Sequence, residues 1–331
     1  MSAPALPAFA SRHDDRRPLW LHLGVIAALF ALQFLLPAYD HTNMSRIMIL
    51  ASYAMGYNLL LGYTGLMSLG HAMFFAAGLY GAGLSAYYLG FDPLSAFVVG
   101  LLTGLALSLV VGMIALRTSG VSFMIVTLMF AQACFLLTLY FNEITQGDQG
   151  IVIDLSAWSW DTGSEEGPLT LVSPPIRYNL ALLLFAISLL VSLFLVRSRI
   201  GRVLVAIREN EARTVMLGYH SFRYKLGSLA LSGTLSAAAG ATYALLFSYV
   251  GSTFAGIQYS ILPLLWVLLG GQGTILGPLL GTALMYYLID FSSEYTSSYM
   301  LIVGVALVLL VLWFPKGILG TLRQKWLPWL P

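Results

Sequence analysis

Three side chains with hydrogen-bonding chemistry, Thr64, Ser68 and His71, lie close together in a segment, Gly62 to Gly83, that is otherwise apolar and repeatedly broken by glycine. Two hydroxyls and an imidazole at that spacing could line a polar route between helices, and the imidazole could titrate near neutrality. A lone histidine beside a glycine break equally fits a hydrogen-bonded structural role. A fourth polar residue, Gln132, sits near the centre of another apolar run, where a bond between helices and a place on a pathway are both open. No catalytic machinery accompanies these residues. The sequence lacks the nucleotide loop G-x-x-x-x-G-K-[ST] and a G-x-S-G serine motif, and His13, His22, His41, His71 and His220 are scattered without a second ligand at helical spacing. The expectation is a chain with no cofactor, no metal and no enzymatic activity; any ATP it uses is bound by another subunit.

The elements that position these residues are membrane helices. The chain has 331 residues, 59% of them hydrophobic and 9% charged, with a mean hydropathy of +0.84; soluble domains carry charge at roughly a quarter of positions. A net charge of +2 gives no basic field for nucleic acid. The single cysteine, Cys134, excludes an internal disulfide. With about 20 apolar residues needed per span, ten candidates emerge: 19–36, 46–62, 66–89, 94–116, 119–141, 177–197, 226–250, 257–271, 275–290 and 298–314. The eighth and ninth are short enough to form a re-entrant pair. The fold class expected is therefore an all-α polytopic membrane protein.

Starting with the N-terminus inside, this map puts 14 of the 16 Lys and Arg residues on the inner side, as the positive-inside rule requires. Residues 1–18 and 315–331 then form cytoplasmic tails around a transmembrane region, 19–314. Its acidic segment 142–175, with Trp158 and Trp160, lies outside. It reads either as an irregular loop with headgroup-level tryptophans or as a platform for an external partner. No Asp, Glu, Lys or Arg falls near the middle of a proposed span, which argues against an ion-coupled carrier, the leading alternative, although a histidine or unwound backbone could substitute. Gly273, Gly277 and Gly281, and Ser232, Ser236 and Gly240, repeat small residues at every fourth position, a pattern that lets helix backbones pack closely.

Arg197 to Lys225 is the most strongly charged segment between apolar runs. It holds Arg197, Arg199, Arg202, Arg208, Arg213, Arg223 and Lys225 against Glu209 and Glu211. Val203, Ile207 and the Val215/Met216 pair recur at helical spacing, and Gly218 is a natural helix stop. An amphipathic helix between two spans is a docking element. Charge sorting alone would explain the arginines but not the apolar periodicity.

Five stretches together carry a resemblance: GYNLLLGYTGLMSLGHAMFFAAGLYGAG, ITQGDQGI, GRVLVAIRENEARTVMLGYHSFRYK, GGQGTILGPLLG and WFPKGILG. They resemble the permease subunits of branched-chain amino acid ABC importers, the LivM type, over nearly all of residues 46–320. The resemblance implies a bacterial inner-membrane protein with both termini cytoplasmic. Its implied partners are a paralogous second permease, two ABC ATPases that bind the ATP, and a periplasmic solute-binding protein. It also makes 197–225 a coupling loop, in which Val203, Ile207 and Met216 fill an ATPase groove and Arg208, Glu209, Glu211 and Arg213 orient it at the rim. Two departures stand out. Gly218 falls one position late after Glu211-Ala212-Arg213, and Gln146 and Gln149 interrupt an outer motif that elsewhere reads TGGDDGL. Related permeases import urea, short amides or aromatic acids, so the implied solute is a branched-chain amino acid or a similar small amphipathic molecule.

Overall fold

The structure, a computed structural model, describes residues 17–154, 159–160, 169–171, 173–295, 298–314 and 316–325. Arg12 and Arg16, counted on the inner side, and Trp158, Asp161, Glu165 and Glu166 of the outer segment lie outside the described residues. The ten expected spans are all helical: α1 (Arg17–Leu32), α2 (Ala38–Asn58), α3 (Ala72–Leu89), α4 (Pro93–Ala115), α5 (Val121–Tyr140), α7 (Pro174–Arg197), α10 (Ser221–Phe247), α11 (Ile257–Gly270), α12 (Gly277–Tyr295) and α13 (Tyr299–Trp313). Between them lie the short helices α6 (Asn142–Thr145), α8 (Arg199–Glu209) and α9 (Glu211–Met216), and α14 (Ile318–Lys325) follows the last. Five helices, α3, α4, α5, α7 and α10, are long and apolar enough to cross a membrane by themselves.

Two span boundaries differ from expectation. α2 starts at Ala38 instead of position 46, because Asp40, His41, Asn43 and Arg46 are helical despite their polarity. These side chains look into protein: Asn43 and Ser45 are buried, and so are Tyr53, Tyr57 and Asn58 further along. A helix sheltered from lipid has no need of a uniformly apolar surface. α3 starts only at Ala72, so Thr64 to His71 is irregular backbone inside the bundle. α11 has 14 residues and α12 has 19, so at 1.5 Å per residue α12 approaches the roughly 30 Å of a bilayer core and α11 falls well short of it.

Small residues decide where helices meet. Lipid gives apolar helices no hydrophobic reason to associate, so close packing must supply the attraction. α10 runs against α3 and α4 with backbones nearly touching. A Cβ on Gly240 would lie 2.0 Å from the Phe75 carbonyl oxygen, and one on Gly78 would lie 2.0 Å from that of Ala237. Of the small residues repeated along α10, Gly240 faces α3 on this seam, while Ser232 and Ser236 are buried against Gly56 of α2. Of the five long apolar helices α10 is the most enclosed, 78% buried over its apolar window, and α5 the least, at 17%. α11 and α12 pack by the same rule, since a Cβ on Gly281 would lie 1.8 Å from the Trp266 carbonyl oxygen. Trp266 itself is buried, as its place in an apolar run suggests.

At the end of the bundle away from α8, the segment after α5 is partly ordered by pairing. β1 (Ile151–Val152) is antiparallel to β4 (Tyr249–Val250), and β2 (Ser159–Trp160) to β3 (Leu169–Thr170). The ITQGDQGI stretch forms the approach to β1. Asp148 accepts a hydrogen bond from Ser252 Oγ at 2.9 Å, and Gly150, at φ +72°, turns the chain beneath the Val250 carbonyl. This motif thus ties the loop to the turn that follows α10.

Candidate coupling and translocation sites

The amphipathic segment expected between residues 203 and 217 is two capped helices. Ser198 Oγ accepts from the Gly201 amide at 3.2 Å and opens α8; Asn210 Oδ1 accepts from the Arg213 amide at 2.9 Å and opens α9. Side-chain oxygens at these positions satisfy amides that a helix start leaves free. Gly218, at φ +91°, ends α9 in the left-handed conformation that glycine adopts without penalty.

The structure divides the expected docking residues into two groups. Val203, Leu204 and Ile207 are buried within this chain, at 8%, 1% and 4% exposure. They pack α8 against its own spans, so the apolar periodicity there serves the bundle and does not offer groove-filling anchors. Met216, in contrast, is 81% exposed, with Val215 and Leu217 exposed beside it. The apolar surface open to a partner is therefore α9 and its C-terminal turn.

The charges divide likewise. Arg208 points inward from α8: its Nη1 donates to the Gly62 carbonyl, its Nη2 donates to Glu209 Oε1 at 2.7 Å, and its aliphatic stem lies against Gly65. It ties α8 to the spans while a third of its side chain stays exposed. Glu211 accepts from Lys225 Nζ at 2.6 Å and from Ser221 Oγ, joining the start of α9 to α10. Burial pushes the Glu211 carboxyl up, but the bonds from Lys225 and Ser221 outweigh it and hold the carboxyl below the usual glutamate range. Arg213 and Glu209 are exposed.

Gly62, which Arg208 grips, belongs to a π-helical turn, Leu59–Tyr63, at the end of α2. Such a turn frees backbone groups, and side chains take each of them up. Gln272 Nε2 donates to the Leu61 carbonyl at 3.3 Å, and Asn58 spans the junction, donating to the Thr274 carbonyl at 2.9 Å while accepting from the Gly273 amide at 3.0 Å. Arg323 of α14 donates to the Gly273 carbonyl at 2.9 Å. The two glycine-rich breaks read in the sequence, GYTG and GGQG, are thereby one joint: a Cβ on Gly62 would lie 2.6 Å from the Gly273 amide nitrogen. Irregular backbone is tolerated at membrane depth when protein groups satisfy it in this way.

Thr64, Ser68 and His71 come together beside this joint and are fully buried. Thr64 Oγ1 lies 2.6 Å from Ser228 Oγ, Tyr57 OH donates to the Ser68 carbonyl at 2.9 Å, and His71 Nε2 lies 3.0 Å from Ser232 Oγ. The His71 ring packs among Tyr53, Tyr57 and Phe74. These bonds lock the α2–α3 link to α10. Gln132 is separate from them, exposed on peripheral α5.

A further cluster, unmarked in the sequence except as a misfit, joins Arg46 and Arg177 at Phe247. These are the two basic residues that charge sorting leaves on the outer side.

Ten helical spans with a broken-helix joint and a capped two-helix element between them make this an all-α, multi-pass membrane protein. Residues 42–312 match the family described as "Branched-chain amino acid transport system / permease component", and the chain belongs to that family. It is 29% identical to the high-affinity branched-chain amino acid transport system permease protein LivM of Salmonella typhimurium (strain LT2), covering 97% of this chain and 79% of that one. It is 28% identical to LivM of Escherichia coli (strain K12), with the same shares covered. The high-affinity branched-chain amino acid transport system permease protein LivH of Salmonella typhimurium is 23% identical over 82% of this chain and 91% of its own. No solved structure matches the chain.

Proposed function

We propose that this chain is one of two paralogous membrane subunits of an ATP-driven importer in a bacterial inner membrane, and that it passes branched-chain amino acids delivered by a periplasmic binding protein. The family match over residues 42–312 carries the reading. The similarity to both LivM and LivH supports a second permease of related fold. Two ATPase subunits bind and hydrolyse the ATP; this chain holds no cofactor of its own. The exposed Met216, Val215 and Leu217 supply the apolar contact that an ATPase groove takes up, with Arg213 at its margin. Arg208 and Asn58 carry the movement from α8 to the joint of α2, α11 and α12. Both tails, 1–18 and 315–331, and the loop 197–225 face the cytoplasm, and 142–175 faces outward.

Reconstitution tests the proposal. The chain should co-purify with a second permease and an ATPase and should import leucine, isoleucine or valine only with ATP and binding protein present. Uptake by the chain alone under an ion gradient would replace this account with a secondary carrier.

A further inference from the structure

Arg46 of α2 and Arg177 at the start of α7 converge on one ring. Their guanidinium carbons lie 4.8 and 5.3 Å from the centre of Phe247. Stacking on an aromatic face fixes each guanidinium plane, but it does not balance two like charges brought close together. No carboxylate does so either: neither Arg46 nor Arg177 has an ion-pair partner among the described residues.

The cluster instead holds surplus donors. Nε of Arg46, Nε of Arg177 and Nδ2 of Asn43 are all buried without an acceptor. Arg177 Nη2 is already used, donating to Thr42 Oγ1 at 2.5 Å. Asn43 is only 4% exposed, and its Oδ1 accepts from Tyr286 OH at 3.1 Å, so what remains is an amide that can only donate. Asn43 and Arg46 are three residues apart on α2 and share a face. Leaving one buried donor unmet is unfavourable; three unmet donors beside two cations describe a missing acceptor. Tyr243, Phe247, Tyr259 and Tyr286 are all half-buried around them, so the site is a partly open aromatic cup and not sealed core. It lies in the half of the bundle opposite α8, since Arg46 is 12 residues, about 18 Å of helix, from Asn58.

We infer that the Arg46–Arg177–Asn43 cup receives the carboxylate of the solute in transit, with Phe247 and Tyr243 beneath its apolar part. A carboxylate offers only acceptors and matches a guanidinium edge with two oxygens. The recessed donors suit a small solute better than an acidic side chain on a protein surface. The inference rests on the transport reading above and locates, within this chain, the groups that would recognise the carboxylate of such a solute and reject urea or an amide.

Arginine modification tests the site without transport. The full chain in zwitterionic vesicles is treated with phenylglyoxal, and modification at each arginine is followed by peptide mass spectrometry. Leucine and isovalerate should slow modification of Arg46 and Arg177 several-fold while leaving Arg208 unchanged, and leucinamide should not protect. Protection by leucinamide as strong as by leucine would overturn the inference. So would protection by inorganic phosphate or phosphatidylglycerol but not by carboxylates, which would mark a headgroup site. In the assembled importer, Arg46→Gln and Arg177→Gln should each lower leucine uptake roughly tenfold or more, the scale of one lost charged hydrogen bond, with ATPase subunits still bound. Wild-type uptake in both variants refutes the carboxylate site alone. Absence of ATP-dependent uptake in the unmodified assembly refutes the importer reading, while the protection experiment still reports on the cup.

Discussion

Arg208 and Gly62, 146 residues apart in the chain, are joined by a hydrogen bond from the guanidinium Nη1 to the glycine carbonyl. One partner stands on the amphipathic helix α8, the other in the π-helical turn that ends α2. Because Gly62 also abuts Gly273, this bond reaches the α11–α12 hairpin as well as α2. A push on α8 therefore acts at the point where three spans have irregular backbone, the place where a bundle gives way most easily.

Met216 and Ile207 should respond oppositely to an introduced carboxylate. Met216→Asp leaves a folded, inserted protein, because its side chain is 81% exposed, and weakens ATPase recruitment by about 2 kcal/mol or more, as losing an interface anchor does. Ile207→Asp places an unpaired charge in a site that is 4% exposed and lowers membrane abundance itself. Pull-down of the ATPase normalised to permease abundance separates the two. Equal loss of normalised recruitment in both would return Ile207 to the docking surface.

Gly240→Ala and Gly227→Ala form a matched pair on α10. A methyl at 240 would lie 2.0 Å from the Phe75 carbonyl, whereas one at 227 meets nothing within 4 Å. The first should destabilise by about 1–3 kcal/mol or more through overpacking. The second should be neutral or stabilise by up to about 1 kcal/mol through helix propensity. Thermal denaturation in detergent decides, and equal melting points would contradict the α3–α10 contact.

Glu211 makes the α9–α10 tie sensitive to acid. Its folded pKa is depressed, so the stability it contributes is present above the unfolded glutamate value of about 4.3 and is lost as pH falls through the lower folded value. The carboxyl is nearly half exposed, which keeps the effect within about 1 kcal/mol. A spin label at Leu217→Cys in a Cys134→Ala background should become more mobile below pH 4. In Glu211→Gln it should be mobile at pH 7 with little further change. A label immobile throughout would show that the pair does not hold α9.

The spans were legible because a bilayer demands long apolar runs, and every one predicted is a helix. The start of α2 was not: Asp40, His41 and Asn43 fell ahead of the expected span, which began at Arg46, since hydropathy cannot tell a side chain facing protein from one facing water. For Val203 and Ile207 the period was right and the neighbour was not. An apolar stripe has the same spacing whether it covers its own bundle or a foreign groove. The type of Arg208 announces a charge but not a backbone carbonyl so distant in sequence. Gln132 sits mid-span, and depth along a helix says nothing about which way it faces. Arg46 and Arg177 did leave a trace, as the two basic residues that the charge map could not sort inward.

The account rests most heavily on Arg208 as the strut between the ATPase-facing loop and the joint at Gly62. Proteoliposomes carrying the complete importer allow ATP hydrolysis and leucine uptake to be measured side by side in the wild type and in Arg208→Ala. The prediction is uncoupling: hydrolysis within about twofold of wild type, since the docking surface on α9 is untouched, and uptake reduced roughly tenfold or more, the scale of a lost charged hydrogen bond. Wild-type uptake in Arg208→Ala, or a fall in uptake matched by an equal fall in hydrolysis, would contradict it.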